Sequence, residues 1–225
     1  MNNFDSSVIN LLHHLSQNSS SLTSFMLLIF DNDFVKGGII VSFFWFQQDK
    51  DIAYRRHQVV ISLLACLVAI SVGRLLTRAF PFRSRPLLNH QIDFLYPARQ
   101  IIQGMELETS FPSDHAVMFF ALATGIFLIS KKAGVFAYLY ILCFILFPRV
   151  YLGLHYPTDV LAGAVVGVLI TLLLSINTIS MPVSEKVLNF SSKYSAIFYL
   201  LFFWLSFQIS TMFNSSRLIV HFLFN

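Results

Sequence analysis

Residues 112–130, PSDHAVMFFALATGIFLIS, set the frame for interpreting the rest of the chain. The eighteen residues from Ser113 to Ser130 are mostly apolar, and at about 1.5 Å each they reach about 27 Å, enough to cross the hydrocarbon core of a membrane. Ser113 is suited to cap this helix, which leaves the backbone amides of Asp114 and His115 pointing out of its first turn. A helix N-terminus of this kind attracts anions. The stretch therefore predicts a membrane helix with an anion-binding end.

Further apolar stretches occur on both sides of this helix. Membrane spans are predicted over 59–80, 135–152, 157–176 and 194–213, with a short first span over 33–47 and a loop over 181–193. The chain is 56% hydrophobic and only 12% charged, which is too apolar for one soluble core of 225 residues. We predict an all-α fold, a polytopic membrane helical bundle of about six transmembrane helices.

The segments outside these spans are expected to lie at the membrane surface. The apolar pieces of residues 1–33 are too short to cross, so they predict interfacial helices. Residues 81–111 form the longest polar connection, and their scattered apolar side chains predict a partial lid. Because no internal repeat or low-complexity linker is present, we expect one domain over 1–225, with a motif-bearing core at 59–180 and an extra C-terminal span at 194–213.

Three short polar clusters interrupt the apolar pattern. They read R-x6-R-P, P-S-D-H and R-x5-H-x3-D, and they lie at Arg78 to Pro86, Pro112 to His115 and Arg149 to Asp159. Because the spans at 113–130 and 135–152 form a hairpin, the three clusters must meet at one membrane face. Arginines neutralise phosphate oxygens, one imidazole can attack phosphorus, and a second can protonate the leaving oxygen. The combination predicts phosphoryl transfer without a metal ion or cofactor, since no carboxylate cluster is available to hold a metal.

The spacing within the third cluster suggests how its histidine is held. Asp159 follows His155 by four residues, in the first turn of the predicted span at 157–176. Its carboxylate can reach back to one ring nitrogen, so that the other nitrogen presents a lone pair to phosphorus.

The basic residues predict which side of the membrane the clusters face. The loops on the opposite face carry seven of them, Lys50, Arg55, Arg56, Lys131, Lys132, Lys186 and Lys193. Outside the motifs and Arg74, the cluster face carries four, Lys36, Arg83, Arg99 and Arg217. By the positive-inside rule, the clusters face away from the cytoplasm.

The clusters resemble the three signatures K-x6-R-P, P-S-G-H and S-R-x5-H-x3-D of the type 2 phosphatidic acid phosphatase superfamily, and the match covers the central third of the chain. The resemblance implies a core of membrane helices, a phosphohistidine intermediate and no metal requirement. It implies that His155 is the nucleophile, Asp159 the residue that orients it, and His115 the general acid. It also implies that the remaining motif residues line the phosphate site, namely Arg78, Arg85, Ser113, Asp114 and Arg149.

Three positions depart from these signatures. Arg78 replaces a lysine, which keeps the charge but changes the geometry of the donors. Asp114 replaces a glycine and needs a cationic partner beside a phosphate, for which Arg74 or Arg83 is expected. Pro148 replaces a serine and is expected to kink its helix.

The substrate is suggested by a longer match. The string SFPSDHA, residues 110–116, resembles the branch of the superfamily that acts on undecaprenyl diphosphate in bacteria. Arg74 and Arg83 are arginines beyond the family set, and they could hold the second phosphate of a diphosphate. We therefore expect hydrolysis of a polyprenyl diphosphate to the monophosphate and phosphate in a bacterial cell membrane.

The same residues are compatible with other functions. The substrate could instead be phosphatidic acid, phosphatidylglycerophosphate or the phosphates of a lipid A-type glycolipid, and a catalytically dead protein that binds lipid phosphates is a further alternative. The spans argue against a soluble vanadate-dependent haloperoxidase. A nucleic-acid partner is excluded because the basic residues form no run, despite a net charge of +4. The sequence leaves the oligomeric state undetermined.

Overall fold

The computed structural model describes residues 2–32, 52–89, 108–214 and 222. Within these ranges the regular structure is entirely helical, which confirms the all-α prediction. The helices are α1 (Asn3–Asn18), α2 (Ser20–Asp31), α3 (Ile52–Ala79), α4 (Asp114–Ile129), α5 (Lys131–Tyr140), α6 (Phe147–Tyr151), α7 (Pro157–Leu174), α8 (Asn177–Lys193) and α9 (Ser195–Ser210). A 3-10 turn at Pro86–Leu88 follows α3, and a π-helical segment, Ile141–Leu146, joins α5 to α6.

Helix α4 lies at the centre of the bundle, where it contacts α3, α5 and α7. Ser113 caps it as predicted, because the Ser113 side-chain oxygen accepts a hydrogen bond from the Ala116 amide at 3.4 Å. Helix α7 approaches this end of α4 closely. A Cβ atom added at Gly163 would lie 2.5 Å from the Ser113 carbonyl oxygen, so only glycine fits there without a shift. The start of the P-S-D-H cluster is therefore fixed by direct packing against α7.

Three continuous helical segments among the described residues are long and apolar enough to cross a membrane. They are Ala53–Ala79, Lys131–Tyr151 and Pro157–Leu174, and α2, α4 and α9 contain shorter apolar helices. The predicted spans at 59–80, 113–130, 135–152, 157–176 and 194–213 each correspond to a helix or to one continuous helical segment. The protein is thus a membrane helical bundle, while the number of crossings remains a prediction.

The segment Lys131–Tyr151 departs from α-helical geometry just before the predicted kink. Residues 141–146 are π-helical, and Pro148 lies in the first turn of α6. Proline has no amide hydrogen to donate within a helix. The π turn delivers Arg149 and the following loop to the end of the bundle where the clusters meet, and short π segments often occur at functional sites.

The predicted loop at 181–193 is wrong, because these residues belong to helix α8 (Asn177–Lys193). Pro182 and the many Ser, Asn, Glu and Lys residues favoured a loop, yet the proline lies inside the helix. Packing against α3 compensates for the weak local preference: the buried His57 ring is hydrogen-bonded to the Ser184 hydroxyl. Tertiary contact of this kind commonly overrides helix propensity.

The N-terminal helices predicted over 1–33 are present as α1 and α2. They contribute Ile9, Leu12 and Met26 to the hydrophobic core, and Thr23 on α2 is hydrogen-bonded to the Tyr151 hydroxyl at 2.9 Å. Their placement at a membrane interface remains a prediction. The predicted first span at 33–47 and most of the predicted lid, residues 90–107, lie outside the described residues.

Candidate active site

Backbone hydrogen bonds join the three polar clusters at one end of the bundle. The Ser113 amide donates to the Asp159 carbonyl at 3.1 Å, which links the start of α4 to the first turn of α7. The Leu87 amide donates to the Gly153 carbonyl at 2.8 Å, which links the Arg85-Pro86 segment to the loop after α6. Gly153 has a φ of 73°, a conformation that favours glycine. The structure thus brings the three clusters together, as the predicted hairpin requires.

His155 lies in the loop between α6 and α7 and is only 5% exposed. Its Nδ1 atom is 2.8 Å from the Ser110 carbonyl oxygen. A carbonyl can only accept a hydrogen bond, so Nδ1 carries the proton and Nε2 carries the lone pair. Burial and the nearby Arg85 charge lower the pKa of His155 to about 3, although Asp114 acts in the opposite direction. The imidazole is therefore neutral at pH 7, with Nε2 in its nucleophilic form.

Asp159 holds the turn that follows His155. Its Oδ2 atom accepts a hydrogen bond from the Tyr156 amide at 2.8 Å, and its Oδ1 atom accepts one from Arg83. The distance from Oδ2 to the Nδ1 atom of His155 is 4.0 Å, which is too long for a hydrogen bond. The sequence predicted that Asp159 accepts a hydrogen bond from His155, but the Ser110 carbonyl accepts it instead. Asp159 contacts the backbone of the next residue, Tyr156.

His115 and Asp114 lie together in the first turn of α4. The Nδ1 atom of His115 is 3.1 Å from the Asp114 Oδ1 atom, and the His115 ring stacks on Phe119 with 6.3 Å between centroids. The Asp114 Oδ2 atom also accepts from Arg74 at 3.5 Å. Of the two partners predicted for Asp114, Arg74 makes this contact, whereas Arg83 pairs with Asp5 and Asp159 instead.

The three motif arginines differ in their surroundings. Arg149 is 2% exposed, donates to the Ile145 carbonyl at 2.6 Å, and lies over the Phe30 ring at 5.1 Å. Arg85 is also buried and donates to the Leu154 carbonyl at 3.1 Å and to Glu108 at 3.3 Å. Its Nε–H group is buried and has no acceptor among the residues the structure describes. An unpaired buried donor is costly, and an anionic acceptor placed beside Arg85 would satisfy it.

Arg78 stands apart from the other two arginines. It is exposed in the last turn of α3, one helical turn after Arg74, so the two side chains share a face of that helix. Arg74, one turn earlier on the same face, contacts the Asp114 carboxylate.

No group of three or more His, Cys, Asp or Glu side chains within residues 2–32, 52–89 and 108–214 is arranged to hold a metal ion. The cysteines are unpaired, with Cys66 buried in the core and Cys143 exposed on the outside of the bundle.

Three residues of this region were missed by sequence reasoning. Ser110 acts through its backbone carbonyl, so its side chain gave no signal. Asp5 and Thr158 meet at the start of α7, where the Thr158 amide donates to the Asp5 carboxylate at 3.0 Å. Thr158 lies inside the third motif, between His155 and Asp159 and directly after the first residue of α7, and a polar residue at that position is an available signal. Asp5 lies 153 residues away in the sequence, and nothing local predicts the contact.

Comparison with known proteins identifies the class to which this fold and site belong. The model of the PAP2 superfamily matches residues 58–181, more than half of the chain, and the protein belongs to that superfamily. The match includes all three polar clusters and the helices α4 to α7 that carry two of them, but not α1, α2 or α9.

Curated relatives define the similarity more narrowly. The chain is 34% identical over 118 residues to "Bacitracin transport permease protein BcrC" of Bacillus licheniformis, a match covering 51% of this chain and 52% of the relative. It is 26% identical over 167 residues to "Undecaprenyl-diphosphatase BcrC" of Bacillus subtilis (strain 168), a match covering 72% of this chain and 78% of the relative. It is 28% identical over 159 residues to "Lipid A 1-diphosphate synthase" of Escherichia coli (strain K12), a match covering 69% of this chain and 65% of the relative. The matched region thus spans about half of the first relative. No solved structure matches the chain significantly.

Proposed function

We propose that this protein is a membrane lipid phosphatase that works through a phosphohistidine intermediate. The observation that carries the proposal is the state of His155, whose Nδ1–H donates to the Ser110 carbonyl at 2.8 Å. The neutral ring is left with a lone pair on Nε2, beside the buried Arg85 and its unpaired Nε–H donor. A nucleophile and an anion-binding donor together suit attack on a phosphoryl group.

The chemistry follows in two steps. Nε2 of His155 forms a bond to phosphorus while the bond from phosphorus to the leaving oxygen breaks, and His115 donates a proton to that oxygen. Water then attacks the phosphohistidine, with His115 taking its proton, and the bond from Nε2 to phosphorus breaks to release phosphate. Arg85, Arg149 and the amides at the N-terminus of α4, which Ser113 caps, neutralise the charge on the phosphoryl oxygens.

We assign Asp114 to the general acid rather than to the phosphate. The sequence grouped it with the phosphate-binding residues, but its carboxylate lies against the Nδ1 atom of His115 and against Arg74. A carboxylate in that position stabilises the protonated imidazole, the form that donates a proton. The Arg74 contact offsets its repulsion of a bound phosphate.

The preferred substrate in this proposal is a polyprenyl diphosphate. Support comes from the SFPSDHA string and from the similarity to the protein named undecaprenyl-diphosphatase in Bacillus subtilis. Contrary to the expectation from the sequence, Arg83 is paired with Asp5 and Asp159, so it is not available for a second phosphate. Arg74, which contacts Asp114, and the exposed Arg78 on the same helix face remain as candidate contacts for that group.

A second candidate is a phosphatase or phosphotransferase for lipid A-type glycolipids. The observation that favours it is the similarity to the protein named lipid A 1-diphosphate synthase. Both candidates share the phosphohistidine step. They differ in the leaving group of the first step or in the molecule that accepts the phosphoryl group in the second.

The experiment is phosphate release by purified full-length protein in detergent. The panel contains undecaprenyl diphosphate, undecaprenyl phosphate, phosphatidic acid, phosphatidylglycerophosphate and a lipid A-type phosphate, each with and without EDTA. We expect the highest kcat/KM for the diphosphate, by at least about tenfold over phosphatidic acid, because one extra charge-assisted contact contributes about 1.5 to 3 kcal/mol.

We also expect EDTA to leave the rate unchanged, since arginines supply the positive charge in this proposal. Equal or higher kcat/KM for phosphatidic acid would refute the substrate assignment, and loss of activity in EDTA with recovery in Mg²⁺ would refute the metal-independent mechanism. Absence of phosphate release from every lipid would refute the phosphatase proposal and favour a lipid-phosphate-binding protein.

A further inference from the structure

We propose that Asp5, on helix α1, is a positioning residue for the nucleophile His155 and that it acts through Arg83. The proposal rests on the proposed function, and it adds to the site a residue outside the region that matches the PAP2 superfamily, residues 58–181. Asp5 does not touch His155 or the phosphate site. It fixes the two backbone segments between which the His155 ring is held.

Asp5 is completely buried although it is close to the start of the chain. Its Oδ1 atom accepts a hydrogen bond from the Thr158 amide at 3.0 Å. Its Oδ2 atom accepts from the Thr158 hydroxyl at 2.7 Å and from Nη2 of Arg83 at 2.7 Å. Two of these three bonds therefore end on Thr158, in the first turn of α7, and the third ends on Arg83.

Arg83 extends this network to the turn that carries His155. Its Nη1 group donates to the Asp159 carboxylate and to the Thr158 hydroxyl, the latter at 2.9 Å. Its guanidinium also lies over the Tyr156 ring, 4.1 Å from the centroid. Asp159 in turn accepts from the Tyr156 amide at 2.8 Å. The residues that directly follow His155 are thus held by Arg83, and Arg83 is held by Asp5.

The backbone of Arg83 holds the other side of the His155 ring. Its carbonyl accepts a hydrogen bond from the Ser110 amide at 2.8 Å, and its amide donates to the Thr109 hydroxyl at 3.0 Å. Ser110 supplies the carbonyl that fixes the Nδ1–H tautomer of His155. Arg83 therefore links both supports of the imidazole, and a change in its position alters the angle and the tautomer of the nucleophile.

A structural role alone does not explain a carboxylate at this position. Burying a charge carries a desolvation penalty, and well-packed apolar residues would hold two helices together equally well or better. Helix α1 already has Ile9 and Leu12 in the hydrophobic core to hold it in place. The carboxylate adds direction, since it fixes the Arg83 fork in one orientation.

The test compares Asp5→Asn with wild type in the full-length protein. Asparagine has the same shape and still accepts from the Thr158 amide, but it loses the charge that holds Arg83. We expect kcat for the lipid phosphate substrate to fall by about tenfold or more, because small misplacements of a nucleophile are costly. We expect KM to change less than about threefold, because the phosphate-binding arginines do not contact Asp5.

The matched control is Ser7→Ala in the same turn of α1, whose hydroxyl only bonds to the Asn3 carbonyl at 2.8 Å on the exposed face. It should leave kcat and KM unchanged. Asp5→Asn should also add little to the loss caused by Arg83→Gln, because the two substitutions break the same link. Full additivity of the two losses would show that Asp5 does not act through Arg83.

A second measurement separates this proposal from the proposed function. The His155 tautomer is read from ring ¹⁵N chemical shifts, assigned by the signal that is lost in His155→Gln, and it needs no substrate. We expect the Nδ1–H tautomer in wild type and Ser7→Ala, and a mixture of tautomers in Asp5→Asn. If Asp5→Asn keeps the wild-type tautomer and a kcat within about twofold of wild type, the positioning role is overturned. If the wild type hydrolyses no lipid phosphate, an unchanged tautomer in Asp5→Asn is enough to overturn it. A wild type without turnover refutes the phosphatase proposal alone.

Discussion

The two ends of the helical bundle differ in how far their charged side chains are buried. At the site end the charged groups are mostly buried and paired or hydrogen-bonded, as are Asp5, Arg85, Arg149 and Asp159. At the other end, where α4 meets α5 and α8 lies, Arg55 is buried, but the lysines are all exposed, namely Lys131, Lys132, Lys186 and Lys193. Buried charges require fixed partners, whereas exposed charges are solvated and contribute little individually.

The difference suggests a division of roles between the ends. The site end is organised before substrate arrives, with the His155 tautomer, the Arg85 fork and the N-terminus of α4 already oriented. Preorganised dipoles and charges of this kind stabilise a transition state without rearranging during the reaction. For the lysine end we propose that only net charge matters, because positively charged loops bias orientation in the membrane. Substitutions at the two ends should therefore have very different effects.

The largest effect is expected for His155→Asn. Without the imidazole no phosphohistidine forms, so kcat should fall by at least about 1,000-fold. The matched variant is His115→Asn, which should lose about 100- to 10,000-fold as the general acid is removed. The check is phosphate release by each variant, with folding monitored by thermal unfolding in detergent.

A substrate with a good leaving group distinguishes these two histidines. With an aryl phosphate, whose aryloxide leaves without protonation, His115→Asn should regain formation of the phosphohistidine, seen as a burst of aryloxide release, and His155→Asn should show no burst. The reverse pattern would exchange the two assigned roles. Trapping of acid-labile phosphoprotein in wild type but not in His155→Asn would support the same assignment independently.

The next largest effect is expected for Arg149→Lys. Lysine keeps the positive charge but lacks the planar fork, so it cannot contact the Ile145 carbonyl and a phosphoryl oxygen in the same way. Loss of one charge-assisted hydrogen bond costs about 1.5 to 3 kcal/mol, or about 10- to 100-fold in kcat/KM. The measurement is kcat/KM in detergent. Wild-type activity in Arg149→Lys would mean that only the charge of this residue matters.

An intermediate effect is expected for Gly163→Ala at the contact between α7 and α4. The added Cβ atom would lie 2.5 Å from the Ser113 carbonyl, so the start of α4 must move. Overpacking costs about 1 to 3 kcal/mol, partly offset by the better helix propensity of alanine. We expect about a tenfold loss of kcat/KM and a lower Tm.

The control for this change is Gly73→Ala on α3, where the nearest atom is a Val117 side-chain carbon at 3.5 Å. There is room for the methyl group, so activity and Tm should be unchanged or slightly increased. Equal losses in both variants would show that the helix contact near Ser113 has no special importance for the site.

Much of this architecture could be predicted from the sequence, and the parts that could not have a common cause. Apolar length predicted α3, α4, α5–α6, α7 and α9, because helix formation in a membrane depends on the local run of apolar residues. The meeting of the motifs followed from the hairpin. Features that depend on distant contacts were missed. The sequence predicted a loop at α8, because Pro182 disfavours a helix and the packing on α3 that offsets it cannot be seen locally.

The same limit applies within the site. The spacing of His155 and Asp159 predicted a direct contact, yet the backbone of Ser110 makes it. A carbonyl acceptor leaves no trace in residue types. The Asp5–Arg83 pair is separated by 78 residues in the chain, so neither partner could predict the other. The roles that residue types suggest for His155, His115 and the motif arginines stay predictions.

A smaller effect concerns pH. The pKa of His155 is lowered to about 3 in the folded protein, while an unfolded histidine titrates near 6.5. Between these values the unfolded chain binds a proton that the folded chain does not, so this residue makes stability fall as pH falls from about 6.5 towards 3. The check is Tm in detergent across this range for wild type and His155→Asn. Wild type should lose more Tm on acidification, and parallel curves would contradict a lowered pKa.

The smallest effect on catalysis is expected at the lysine end, for the double substitution Lys131→Gln, Lys132→Gln. Both side chains are exposed in the first turn of α5, where a positive charge is unfavourable to the helix dipole, so their removal should not destabilise the bundle. In detergent we expect kcat/KM within about twofold of wild type, since solvated charges at the far end of the bundle are screened from the site. A tenfold loss would break the division between the two ends.

In cells the same double substitution should affect orientation instead. A cysteine replacing the exposed Lys186, in a Cys143→Ser background, reports whether the lysine end faces the cytoplasm. With Lys131 and Lys132 present, an impermeant thiol reagent should label it only after the cells are permeabilised, because positively charged loops are retained inside. Removing both lysines should raise the fraction labelled in intact cells. Full labelling in intact cells with both lysines in place would instead put the His155 end inside the cytoplasm, and the proposed hydrolysis of a lipid outside it would be wrong.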